Sequence, residues 1–119
     1  ARAATQKEID QAIKAGADAL KARFATGAAT GDSTLGPACL AGLAMLEAGV
    51  PPTDRAVKAI TDRVRNESYD QSATYGVALC LMFLDRLGDP ADAVRIQMLA
   101  VRLLAGQTAA GGWGYTTVQ

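Results

Sequence analysis

Histidine is missing altogether from this chain of 119 residues. That removes the commonest general base and the commonest zinc ligand. Aromatics are scarce, with one Trp, three Tyr and two Phe making up 5% of the chain, so where they sit is informative. Net charge is also absent, because 12 Lys and Arg balance 12 Asp and Glu. Without a basic stripe there is nothing to attract phosphates, which argues against nucleic-acid binding. The charges are scattered singly, as on solvated helix faces. No apolar run reaches the roughly 18–20 residues that cross a bilayer, so no membrane span is expected. The N-terminus lacks the charged, apolar and cleavage regions of a secretory signal. It begins Ala1-Arg2-Ala3-Ala4-Thr5 without an initiator Met, and is read as an excised segment, which leaves localisation open. Only two cysteines occur, Cys39 and Cys80, both in apolar helical surroundings. They read as buried, inert thiols, and a disulfide requires the helices to set them face to face.

What is present is apolar and helical. Half the residues are hydrophobic, enough for the core of one small domain, taken as 1–119. Periodicity near 3.6 dominates, with no convincing strand. The first helix is expected from Gln6 to Phe24, with Ile9, Ile13, Ala17, Leu20 and Phe24 on one face. Thr5 is its N-cap, and Glu8 three residues on completes a capping box. The Gly/Ala/Thr stretch Ala25 to Ser33 breaks it. A second helix, Thr34 to Ala48, is apolar nearly all round, which predicts burial on most sides. A third is expected from Asp54 to Asn66, capped by Thr53, with Val57, Ile60 and Val64 as its stripe. The fourth, Ala73 to Leu87, is again apolar all round. The fifth, Ala91 to Ala105, carries Val94, Ile96, Leu99, Leu103 and Leu104, with Arg95 and Arg102 exposed.

The helices repeat. Thr34, Gly36 and Ala38 match Thr74, Gly76 and Ala78 at an offset of 40, and Gly49 and Pro51 match Gly88 and Pro90 at an offset of 39. Ile13 aligns with Val57 and Ile96, and Leu20 with Val64 and Leu103. Amphipathic helices thus alternate with helices that are apolar nearly throughout. A straight solenoid usually keeps a polar concave face on its inner row. The apolarity of the second and fourth helices instead favours a closing ring with an apolar centre.

The only Trp sits in the loop Gln107-Thr108-Ala109-Ala110-Gly111-Gly112-Trp113-Gly114-Tyr115. Read with Leu103, its spacing is Leu103-x3-Gln107-x3-Gly111-x-Trp113. This segment resembles the QW repeat of squalene and hopene cyclases, whose α/α-toroid fold is shared with protein prenyltransferase β-subunits. Three further segments agree: Ala12 to Leu20 looks like an outer helix entering a repeat, and Ala41 to Pro51 and Phe83 to Pro90 look like inner helices with their exit turns. The combination resembles the cyclase/prenyltransferase-repeat proteins abundant in planctomycete-type bacteria, most of which lack an assigned activity. The resemblance implies an all-α fold of helical hairpins, here about five helices of a partial ring. It also implies that the Gln caps a helix end, the indole stacks beside it, and the glycines permit the tight backbone. Leu103, Gln107, Gly111 and Trp113 are therefore expected to be structural, not catalytic. The equivalent loops are degenerate: Phe24 and Ser68 occupy the Gln position, and neither is followed by the Trp.

The chemistry of these families is not visible in this segment. Triterpene cyclases carry an Asp-x-Asp-Asp acid motif, which is absent; Asp89-Pro90-Ala91-Asp92 reads as a turn plus helix cap. They also line their cavity with aromatics that stabilise cations, whereas the inner helices here offer only Tyr75 and Phe83. Prenyltransferases hold zinc through Asp, Cys and His, where this chain has Asp70-Gln71-Ser72 and no His. The Cys-Gly-Glu-Gln motif of complement-like thioester domains, which share the toroid, is missing at Cys39. No catalytic residue, metal site or cofactor is therefore assigned. The best binding candidates are polar groups at inner-helix starts: Ser33, Thr34, Ser72, Thr74 and Tyr75, at one mouth of the ring. The competing reading makes Thr34 and Thr74 N-caps.

The function expected is a non-catalytic repeat module that binds a protein, peptide or apolar ligand within a larger protein. The alternative is a piece of a cyclase-like or prenyltransferase-like enzyme whose catalytic residues lie outside the segment. Its partners are expected to be the rest of the parent chain or another copy of itself, because an open ring exposes apolar inner-helix surface.

Overall fold

The first helix starts where its sequence caps it. The computed structural model describes residues 2–25 and 34–117, and in it α1 spans Gln6–Phe24. The Thr5 hydroxyl accepts from the Glu8 N–H and the Glu8 carboxylate accepts from the Thr5 N–H, each at 3.2 Å. This reciprocal box satisfies two of the donors a helix start leaves orphaned. Arg2 grips the same carboxylate at 2.7 Å, and together these contacts hold Glu8 down from its ordinary 4.5 to about 2.

Helix α2 spans Leu35–Glu47, with Thr34 at the N-cap position but making no side-chain capping bond. Helix α3 spans Arg55–Glu67. Its cap is Asp54, not the expected Thr53: the Asp54 backbone is extended and its carboxylate accepts from the Ala56 N–H at 2.9 Å. A 3₁₀ turn, Ser68–Asp70, continues from it. Helix α4 spans Thr74–Leu87 and stops at Gly88, whose φ of 75° is left-handed. The expected first turn of the last helix is a separate 3₁₀ turn, Pro90–Asp92, whose Asp89 cap accepts from the Ala91 N–H at 3.0 Å. Helix α5 then spans Ala93–Ala105. Among the described residues there are five α-helices and no strand, only two isolated bridges, so the chain is all-α. The predicted break at Ala25 to Ser33 lies, from residue 26 on, outside the described residues.

The packing follows the two helix classes. The apolar pair α2 and α4 lie side by side; α3 packs across α2 and against α1, and α5 packs on α4. The core runs through Ala38, Cys39 and Met45 of α2, Val57, Ile60 and Val64 of α3, Val77, Cys80, Phe83 and Leu84 of α4, and Leu99 of α5. Burying a large side chain of this kind is worth about 1.5–3 kcal/mol, so α2 and α4 carry much of the hydrophobic drive. They approach closely because Gly42 has no side chain: a Cβ there would lie 2.6 Å from the Phe83 ring.

The expected burial of α2 and α4 on most sides is seen, with Leu40 and Met82, each 53% exposed, on the face left open. Two expectations about the other helices are corrected. On α1, Ile9 and Ile13 are exposed and only Ala17 and Phe24 are buried, because α1 meets the body along its C-terminal half. On α5, Arg102 is buried, while Val94, Met98, Val101 and Leu104 are exposed. The reason lies in the carbonyls that Arg102 reaches.

Candidate functional site

The C-terminal loop is a hydrogen-bonded unit that holds Gln107, Gly111 and Trp113 of the Leu-Gln-Gly-Trp pattern, with Leu103 in the last turn of α5 before it. Gln107 and Trp113 face each other as an isolated antiparallel bridge. Inside the loop, the Thr108 N–H donates to the Gly112 carbonyl at 2.8 Å and the Gly111 N–H to the Thr108 carbonyl at 2.9 Å. Gly111 takes a φ of 89°, a conformation that strains any residue with a Cβ. The Gln107 side-chain amide donates to the Gly111 carbonyl at 2.8 Å. The Trp113 indole N–H donates to the Leu103 carbonyl at 2.7 Å, supplying a donor to the carbonyl-rich end of α5. The roles are thus divided differently from what the resemblance implies: the indole caps the helix, and the glutamine closes its own loop.

The loop then crosses the start of α4. The Thr74 hydroxyl donates to the Gly114 carbonyl at 2.7 Å, and the Thr74 N–H to the Tyr115 carbonyl at 2.9 Å. Ala73 and Thr116 form the second isolated bridge. The Thr117 N–H donates to the Ser72 carbonyl at 2.8 Å, and its hydroxyl to the Arg102 carbonyl at 2.8 Å. Ser72 and Thr74 are therefore brought together, beneath residues 114–117. Thr74 is not an N-cap: that position belongs to Ala73, and the threonine hydroxyl clamps the loop. Tyr75 is 56% exposed, its ring 2.6 Å from where a Cβ on Gly36 would lie. Thr34 is exposed, one helix away, and Ser33 lies outside the described residues.

Sequence reasoning missed two charged groups that hold the neighbouring loop. The Arg102 guanidinium donates to the carbonyls of Ser68 at 3.2 Å and Tyr69 at 3.3 Å, and also to that of Gln71. Ser68 stands where the intact loop has Gln107, so a donor from α5 serves the end of α3 as Trp113 serves the end of α5. Next to it, Asp92 is fully buried. Arg65 grips it through two bonds, at 2.9 and 2.7 Å, and Arg95 adds a third at 3.0 Å. The Arg95 guanidinium also lies 5.3 Å from the Tyr69 ring centroid, a cation–π distance. Asp89 is held below the usual aspartate range, first by the Ala91 N–H and then by Arg65. Arg65 is pushed up, chiefly by its bonds to Asp92. The i, i+3 spacing of Asp92 and Arg95 was the available signal for this cluster.

These clusters join one helix to another. Among the described residues, no group of three or more His, Cys, Asp and Glu side chains is placed to hold a metal ion. No helix among them is long and apolar enough to cross a membrane. What does face outward is apolar. Val94, Met98 and Val101 recur at the spacing of one helical stripe on α5, with Leu104 beside them. The loop at its end leaves Trp113 and Tyr115 exposed. At the other side of the molecule, Leu20 and Phe24 of α1 and Pro37, Leu40 and Ala44 of α2 line an open groove of about 400 Å³. No family model, curated protein or solved structure matches the chain.

Proposed function

We propose that the chain is a non-catalytic repeat module of the α/α-toroid type, which docks a protein surface along its exposed apolar edge within a larger assembly. The observation that carries this reading is the α5 stripe: Val94 is 73%, Val101 62% and Leu104 67% exposed along one helix. Contiguous apolar surface of this kind marks interaction sites. The toroid assignment is supported by the alternation of two helix classes, the side-by-side packing of α2 and α4, and the intact Leu103, Gln107, Gly111 and Trp113 spacing. The occupant of the edge is a helical surface that continues the stack, from the parent chain or a second copy.

Sedimentation of the isolated chain over a range of concentrations tests the module reading. Reversible self-association is expected, and a compact monomer at the highest concentration overturns it. Incubating the longer parent protein with squalene or prenyl diphosphates tests the enzyme-fragment alternative, and turnover there sinks the module reading.

A further inference from the structure

Each member of the central helix pair carries one cysteine, and the two meet. The Cys39 and Cys80 sulfurs are 3.7 Å apart, both fully buried. They are not repeat equivalents: at the offset of 40 that relates Gly36 to Gly76, Cys39 corresponds to Leu79. One therefore sits on the face of α2 turned to α4 and the other on the face of α4 turned back to α2. This is the side-chain placement a bridge between neighbouring helices needs. A disulfide S–S bond is about 2.05 Å long, so closure requires the sulfurs to approach, with the helices already in place. Both thiols are free here.

We propose that Cys39 and Cys80 form an oxidation site, which a small peroxide converts into an intrachain disulfide that ties α2 to α4. Hydrogen peroxide is the two-electron oxidant; it is small and uncharged, so brief opening of the core admits it. The Cys39 S–H donates to the Cys80 sulfur. That bond holds the proton on Cys39 and favours the thiolate at Cys80, while burial opposes charge on both. The Cys80 thiolate attacks one peroxide oxygen, the O–O bond breaks, and the hydroxide released takes up a proton as water, leaving a sulfenic acid. The Cys39 sulfur then attacks the Cys80 sulfur, the S–O bond breaks, and the second hydroxide leaves as water with the Cys39 proton. Two thiols and one peroxide become one disulfide and two waters. The bond closes a loop that includes all of α3, so it restrains the unfolded chain and locks the two central helices of the stack.

Treating the folded chain with hydrogen peroxide and measuring its intact mass tests the proposal. The expected product has lost two hydrogens, shows no titratable thiol, and yields a linked peptide pair from α2 and α4. On a denaturing gel without reductant it runs as a single chain, and its Tm rises by roughly 10 °C, an effect dithiothreitol reverses. The variants Cys39→Ala and Cys80→Ala should each lose the linked peptide and the Tm shift. Two thiols that stay reduced in the folded protein overturn the proposal. So does a mass gain of oxygen without a link, or a disulfide between two chains.

Discussion

Gly42 lies under the Phe83 ring and Gly36 under the Tyr75 ring, and in both places a Cβ would come within 2.6 Å of an aromatic carbon. The two sites differ in what can yield. Phe83 is fully buried, and the same Cβ on Gly42 would also lie 3.3 Å from the Ile60 side chain. Tyr75 is largely in solvent, and its ring can swing. Alanine gains about 1 kcal/mol over glycine in a helix interior, while overpacking a core costs about 1–3 kcal/mol. Gly42→Ala is therefore expected to lower stability, by up to about 2 kcal/mol. Gly36→Ala should change it by less than about 1 kcal/mol, in the stabilising direction. Urea midpoints at constant slope measure both; equal effects would mean that Phe83 does not fix the helix separation. A similar contrast separates Asp89 from Asp92, which look alike in sequence, three residues apart in one turn. Asp92→Asn leaves Arg65 and Arg95 without a charge that is fully buried, and should cost about 3 kcal/mol. Asp89 is exposed, and Asp89→Asn should stay within about 1 kcal/mol. Matching losses would refute the buried role of Asp92. The only local difference between these two carboxylates is Arg95, three residues beyond Asp92 and bonded to it. The burial of Asp92 is made by Arg65, on another helix.

The C-terminal loop is an element in its own right, with few apolar anchors and several directed bonds. Thr74→Val removes the hydroxyl that reaches Gly114 but keeps the shape. Trp113→Phe keeps a ring and removes the N–H that reaches Leu103. Each should cost about 1 kcal/mol, the usual net worth of one hydrogen bond. The loss should be local: amide exchange of Gly111 and Thr117 is expected to speed up, while that of Val50, bonded to Met45 at the end of α2, keeps its rate. A uniform rise across the chain would show that the loop is not a separate unit. Much at this scale was legible beforehand. Periodicity and turn residues placed the five helices to within a residue or two at most ends, and the Thr5 box was read correctly. Arg102 was misread because a periodic pattern assigns every charge to solvent. Its burial depends on carbonyls freed at the end of α3, and no pattern within α5 reports them. Thr74 was misread for a related reason: its partner, Gly114, is 40 residues away.

At the scale of the molecule, the role proposed for the apolar stripe on α5 is association, not support of the fold. Val101 is 62% exposed, and Leu104 projects beside it, so neither supports the core that Leu99 and Ile96 help to fill. Replacing both by lysine, as Val101→Lys and Leu104→Lys, keeps helix propensity high and adds charge to an open face. The Tm of the double variant is therefore expected to stay within a few degrees of the parent, because exposed substitutions usually change stability by less than about 0.5 kcal/mol each. Its association should weaken sharply, since two desolvated charges would have to be buried in any contact along the stripe. Lysines at Arg55 and Asp62, on the exposed face of α3, serve as controls and should leave association unchanged. Sedimentation and thermal melts on the same samples separate the two effects. If the double variant unfolds at a much lower temperature, the stripe belongs to the core after all. If it associates as strongly as the parent, the contact surface lies elsewhere, and the groove between α1 and α2 becomes the face to substitute.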